Sequence, residues 1–164
     1  MFKNRKIFLA IILFLAACTS QPASPIPNAE GENWVAFSTD KARANQMLNW
    51  LFPADTTPEY WSPTEADIHA LESRLPSYLQ ENKSAFYMTD APIWEQLNEY
   101  NSQYVGIVLE GKKIIYASYL CRNGEDNGWK ENFIFVADGG ACYFQFKFDT
   151  STGEFFDLLV NGDA

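Results

Sequence analysis

The chain has 164 residues, 47% of them hydrophobic, with 12 Lys and Arg against 21 Asp and Glu and one histidine, giving a net charge of −9. An acidic balance of that size repels phosphate backbones, so nucleic acid is not an expected partner, and it opposes peripheral adhesion to anionic lipid. The length suits one domain with a real hydrophobic core, and the three cysteines raise the question of which of them pair.

At the amino terminus Lys3, Arg5 and Lys6 precede an apolar stretch from Ile7 to Leu15 and the small residues Ala16 and Ala17, ahead of Cys18. That order of basic start, short apolar core and small residues is the layout of an export signal. An apolar stretch of about ten residues is too short for a spanning helix, which needs roughly 20. The ending Leu15-Ala16-Ala17-Cys18 resembles the lipobox of bacterial lipoprotein precursors. The resemblance implies diacylglyceryl transfer to the Cys18 sulfur, cleavage before Cys18 and acylation of the new amino terminus. With Thr19 rather than Asp after the cysteine, it implies an outer-membrane position facing the periplasm in a Gram-negative cell. Two or three buried acyl chains hold a protein on a bilayer where one does not. A signal over residues 1–17 leaves 147 residues with nine basic and 21 acidic side chains, a net charge of −12.

Residues 18–33 then read as the lipidated cysteine and a proline-rich tether carrying Pro22, Pro25 and Pro27, followed by a single domain over 34–164. At about 3.1 Å per residue, the fifteen residues after Cys18 extend to roughly 45 Å. Residues 40–52 place Ala44, Met47, Leu48 and Leu51 at helical spacing behind a cap at Asp40, with Pro53 as the stop. The strongest helix signal covers 62–82: Ser62 and Glu65 as a capping box, Pro63 at the first position, and Ile68, Leu71, Leu75, Tyr78 and Leu79 as the apolar stripe. Pro76 removes a backbone donor inside that stretch and predicts a break near Leu75. A short helix is expected over Pro92–Asn98.

From Gln103 the hydrophobic period changes from 3.6 to two. Segments 103–110 and 112–121 flank Gly111 as one hairpin, and 142–149 and 154–160 flank Thr150–Gly153 as a second. Cys142, Phe144, Phe146 and Phe148 alternate with Tyr143, Gln145, Lys147 and Asp149, as in a half-buried strand, and 132–137 reads as a further short strand or a lead-in. The expected class is α+β, with N-terminal helices packed on a four-stranded antiparallel meander sheet. That order resembles cystatin-like folds, a likeness of layout that imports no activity. The ending, from Asp138, resembles a family of small exported bacterial proteins without assigned function.

Cys121 ends one expected strand and Cys142 begins its neighbour, so the two are candidates for a structural disulfide in an oxidising compartment, with no Cys-x-x-Cys motif to suggest redox work. Assigning Cys18 to lipid leaves these as an even pair. His69 shares a helix face with Glu65, Glu72 and Ser73. A hydrolase would use His69 as base with Glu65 or Glu72, but Ser73 one turn away brings no oxyanion hole, and a solvated polar face is the simpler account. A lone histidine also falls short of a catalytic zinc set, and no metal or cofactor is expected. "NGEDNG" at 123–128 lacks the twelfth-position carboxylate of a calcium loop, and "ADGGAC" at 137–142 lacks the lysine and helix of a phosphate loop. Both read as turns.

Aromatic residues make up 16% of the chain, enough to supply both a core and a contact surface. Trp61, Trp94, Trp129 and Tyr104 lie beside polar residues and are candidates to stack on a glycan or meet a protein partner, against the competing role of core packing. The expectation is therefore a non-catalytic, lipid-anchored binding module of the cell envelope, held to the membrane through Cys18. A small envelope hydrolase built on His69 is the alternative.

Overall fold

Two turns organise the centre of the fold. Glu110 and Gly111 both take left-handed φ values, 51° and 77°, in the connection that lets β4 (Tyr100–Leu109) fold back on β5 (Lys112–Cys121) over ten paired residues. Thr150–Gly153 does the same for β6 (Tyr143–Asp149) and β7 (Glu154–Val160). These strands belong to a computed structural model that describes residues 27–87, 89–122 and 128–162. The export-signal stretch, Cys18 and most of the "NGEDNG" segment lie outside the described residues.

The sheet is larger than a four-stranded antiparallel meander. Among the described residues it has seven strands and is mixed, in the order β1 (Ala29–Glu30), β2 (Trp34–Phe37), β4, β5, β6, β7, with β3 (Tyr60–Trp61) also paired to β4. The additional strands are β1 (Ala29–Glu30) and β2 (Trp34–Phe37), and β2 runs parallel to β4 from Trp34 opposite Ser102 to Phe37 opposite Val105. A strand covered on both faces carries a continuous apolar run instead of an alternating one, as in the "WVAF" of β2, where Val35, Ala36 and Phe37 are all buried. The fold thus includes β1, inside the stretch read as tether.

The helices depart from expectation for local reasons. The helix expected over 40–52 is two pieces, α1 (Thr39–Ala44) and a 3₁₀ helix (Gln46–Leu51). Asn45 leaves helical geometry between them, and its side chain accepts from the Met47 N–H to cap the second piece. In consequence Ala44 and Met47 turn outward, while Ala42, Leu48 and Leu51 are buried. α2 (Glu65–Glu72) is capped by Thr64 with Asp67, not by Ser62 with Glu65: the Asp67 carboxylate accepts from the Thr64 N–H at 2.8 Å, and the Thr64 hydroxyl accepts from the Asp67 N–H. Ser62 Oγ instead accepts from the Thr39 N–H at 2.9 Å and so anchors the start of α1. The break at Pro76 is present: α3 (Leu75–Glu81) starts afresh, with the proline in its first turn where no donor is missed. Over 92–98 there are two 3₁₀ turns, Ile93–Glu95 and Leu97–Glu99, and 132–137 forms no strand.

Each face of the sheet carries its own core. On one, Tyr100, Tyr104, Ile115, Ala117, Tyr119, Phe144, Phe146 and Phe148 meet Ile68, Leu71, Leu75 and Leu79 from α2 and α3. On the other, Val105, Ile107, Ile114 and Tyr116 meet Leu48, Leu51, Phe52, Trp129 and Phe133. Leu120 pairs with Tyr143 across β5 and β6, which sets Cys121 beside Cys142 with their Cα atoms 4.8 Å apart, at disulfide distance.

Candidate functional site

At the hairpin-turn end of the sheet, the junction of α2 and α3 and the loop from Phe52 to Glu59 rise beside the two turns and enclose a groove of about 1360 Å³. Each wall is set by local chemistry. Gly153 (φ 70°) lets the Arg74 guanidinium lie directly on the β6–β7 turn, where a Cβ would collide with it. Asp149 ties the same turn: its Oδ1 accepts from the Ser151 hydroxyl at 2.6 Å, the Ser151 N–H at 2.8 Å and the Thr152 N–H at 3.3 Å, and Lys112 lies 3.6 Å from its other oxygen. The Ser151 bonds, followed by Thr152 and Lys112, hold the Asp149 carboxyl below its usual range against the opposing effect of burial. Tyr78 of α3 stacks on Phe155 at 4.7 Å between ring centres, and Lys147 pairs with Asp157 at 2.9 Å.

Aromatic rings (Trp50, Tyr78, Phe155, Phe156), hydroxyls (Thr56, Thr57, Ser73, Ser77) and fixed charges of both signs therefore line one concavity. Such a lining offers stacking and hydrogen bonding together. The volume exceeds the roughly 300–1,000 Å³ of ordinary small-molecule pockets and suits an extended ligand.

A second, smaller cleft of about 360 Å³ lies on the helix-covered face between Trp34, Leu75, Leu97 and Tyr100. At its base the Tyr104 hydroxyl donates to Glu72 Oε1 at 2.8 Å and shares a 2.7 Å hydrogen bond with the Tyr119 hydroxyl. Desolvation pushes both tyrosines well above their ordinary pKa, the neighbouring charges adding to it, so they remain neutral hydrogen-bonding groups. Tyr100, buried beside Glu99, is pushed up to about 12 and donates to the Ala141 carbonyl.

The residues singled out from sequence are dispersed. His69 has a side chain 65% exposed on α2, with Nε2 3.4 Å from Glu65 Oε1, while Glu72 turns inward to the tyrosines, so the three do not converge. Ser73 Oγ donates to the Ala70 carbonyl. Among the described residues no group of His, Cys, Asp and Glu is placed to hold a metal ion. Tyr104 and Trp129 are buried and serve packing, because their side chains point into the two cores rather than outward. Trp61 lies across Gly106, whose missing Cβ leaves room for the ring, and its Nε1–H is shared between the Ile107 and Ile114 carbonyls; Trp94 packs against the helix-side core. The tryptophan most exposed to a partner is Trp50, 52% accessible, which sequence reasoning missed. Its signal is its spacing of three from Met47, meaningful only once Asn45 ends the α-helix and a 3₁₀ helix follows.

Comparison with protein-family models, with curated proteins and with solved structures found no match to this chain.

Proposed function

We propose that the protein is a lipid-anchored, non-catalytic binding module of the cell envelope, and that the groove at the hairpin end of the sheet receives its partner, an envelope protein or glycan. The groove carries this reading: about 1360 Å³ lined by five aromatic rings, hydroxyl groups and charges of both signs, two pairs of which are joined. The Leu15–Cys18 motif supports the anchor, and Cys121 and Cys142 at disulfide distance fit an oxidising compartment. The hydrolase alternative has less support, because His69 faces solvent beside Glu65 while Glu72 turns inward to Tyr104.

The test is crosslinking in cells from Thr57 and Ser77 on opposite walls of the groove. A recurrent adduct from both positions, lost when Trp50 and Phe156 are replaced by Ser in a chain that stays folded, is the expected result. Adducts unaffected by those replacements would reject the groove as the contact surface.

A further inference from the structure

The second face of the sheet is incompletely covered. Met47 and Trp50 lie three residues apart on the 3₁₀ helix, hence on one side of it, and are 58% and 52% exposed. The Trp50 ring meets Phe135, itself 48% exposed, at 6.1 Å and Tyr116 at 5.6 Å. Tyr116 donates to Gln145 Oε1, and the residue opposite Gln145 on the edge strand is Leu159, 56% exposed. Four of the five large apolar side chains most exposed among the described residues thus fall on one sheet face. Single exposed apolar residues are ordinary; a joined set with Trp at its centre marks a contact surface.

The position of the chain's entry decides what meets it. Pro27 borders a hollow with Lys41, Ala44 and Glu131, and the same three residues border the next hollow, which contains Met47 and Phe133. The described chain therefore starts beside the apolar face. Because β1 is part of the sheet, only the eight residues 19–26 separate Cys18 from Pro27, a reach of about 25 Å rather than the roughly 45 Å of a tether running to residue 33. A folded chain of this size has a radius of gyration near 14 Å and is some 36 Å across, so the tether is shorter than the domain is wide. Between Pro27 and Met47, Lys41 and Glu131 pair at 2.8 Å, so the two charges nearest Met47 offset each other, while Glu30 and Asp40 on the Pro27 side of that hollow keep theirs.

We infer that Met47, Trp50, Phe135 and Leu159 form a bilayer-docking face, seated in the interfacial layer of the membrane that holds Cys18. Trp and Met suit that layer, where an apolar body meets a polar boundary. The inference rests on the lipid anchor proposed above. Docking would also set the Trp50 rim of the groove at the membrane surface, so that the groove opens along the bilayer.

The full-length chain is expressed in a Gram-negative host with photoreactive benzoyl-phenylalanine at Phe135, at Met47 or, as a control on the opposite face, at Gln80 of α3. Illuminated cells are extracted, adducts are identified by mass, and the Cys18 peptide is weighed in the same samples. Acylated Cys18 with phospholipid adducts at 135 and 47, at least five-fold above those at 80, is the expected result. Acylated Cys18 with equal lipid labelling at all three positions, or with protein adducts at 135 and 47, overturns the docking face and leaves the anchor standing. An unmodified Cys18 overturns the anchor and the docking face with it.

Discussion

The two faces of the sheet are closed by different means. On one, α2 and α3 present Ile68, Leu71, Leu75 and Leu79 to a continuous aromatic stack, in which Tyr119 lies parallel to Phe144 at 4.8 Å and to Phe146 at 5.8 Å. On the other, a short α1, a 3₁₀ helix and a loop do the covering. Two buried amides hold that loop: Gln103 donates to the Trp129 carbonyl and, at 2.8 Å, to the Asn132 carbonyl, and accepts from the Ile134 N–H at 2.8 Å, while Asn161 donates to the Val136 and Asp138 carbonyls at 2.7 and 3.0 Å. Regular helices satisfy their backbone internally and so lay a continuous apolar stripe on a face. Irregular chain must satisfy its own backbone first, and here it leaves Trp50 and Phe135 outside.

The sharpest contrast comes from removing one group on each face. Phe146→Ala, at a fully buried ring in the helix-covered core, is expected to cost about 4 kcal/mol and lower Tm by roughly 12 °C, read by calorimetry, with protection lost throughout the domain. Replacing Cys121 and Cys142 together by Ala is expected to cost about 3 kcal/mol, the value of closing a loop of this length. Gln103→Leu is expected to cost about 2–3 kcal/mol, since it strands two carbonyls and one N–H. Its signature differs in kind: hydrogen exchange should rise over 129–135 while β4–β7 stay protected. Global loosening in Gln103→Leu would mean that the two faces share one cooperative core.

The tyrosine network sharpens the comparison on the pH axis. Burial raises the folded-state pKa values of Tyr100, Tyr104 and Tyr119 above the ordinary tyrosine value of 10, so the stability they lend is fully present below pH 10 and is lost as pH rises toward about 12. Alkaline unfolding, followed by circular dichroism, should coincide with the rise of tyrosinate absorbance. Tyr104→Phe, which leaves Glu72 and Tyr119 without their shared partner, is expected to cost about 1 kcal/mol at neutral pH and to shift that transition upward by removing one buried hydroxyl. Tyrosinate forming well before unfolding would show that the stack is open to solvent.

What could be read ahead of the structure tracks how local its cause is. The hairpins at Gly111 and Thr150–Gly153, the break at Pro76 and the pairing of Cys121 with Cys142 depend on neighbours in sequence or on adjacent strand ends. The parallel pairing of Trp34 with Ser102 does not, because its hydrogen bonds join segments 68 residues apart and leave no alternating pattern in "WVAF". The capping box shifted by two residues because Ser62, an equally good cap, is engaged by Thr39 of another element. Of the candidate contact aromatics, Tyr104 and Trp129 carry no sequence mark separating them from Trp50. Burial is decided by which face of β4 or which end of a loop they occupy.

The outer side of α2 tests the same contrast from the solvent side. His69 and Glu65 are spaced one turn apart with 65% and 72% of their side chains exposed, a geometry in which an ion pair contributes at most a few tenths of a kcal/mol and only while the imidazole is protonated. The helix is held instead by Ile68 and Leu71 beneath it, and its inward carboxylate is Glu72. His69→Ala is therefore expected to leave Tm within about 1 °C and to complement a deletion strain fully. Loss of function at unchanged Tm would move the chemistry of this protein from the groove to α2. An unchanged phenotype, set beside a large loss from Ile68→Ala, would show that α2 serves the protein through its buried side alone.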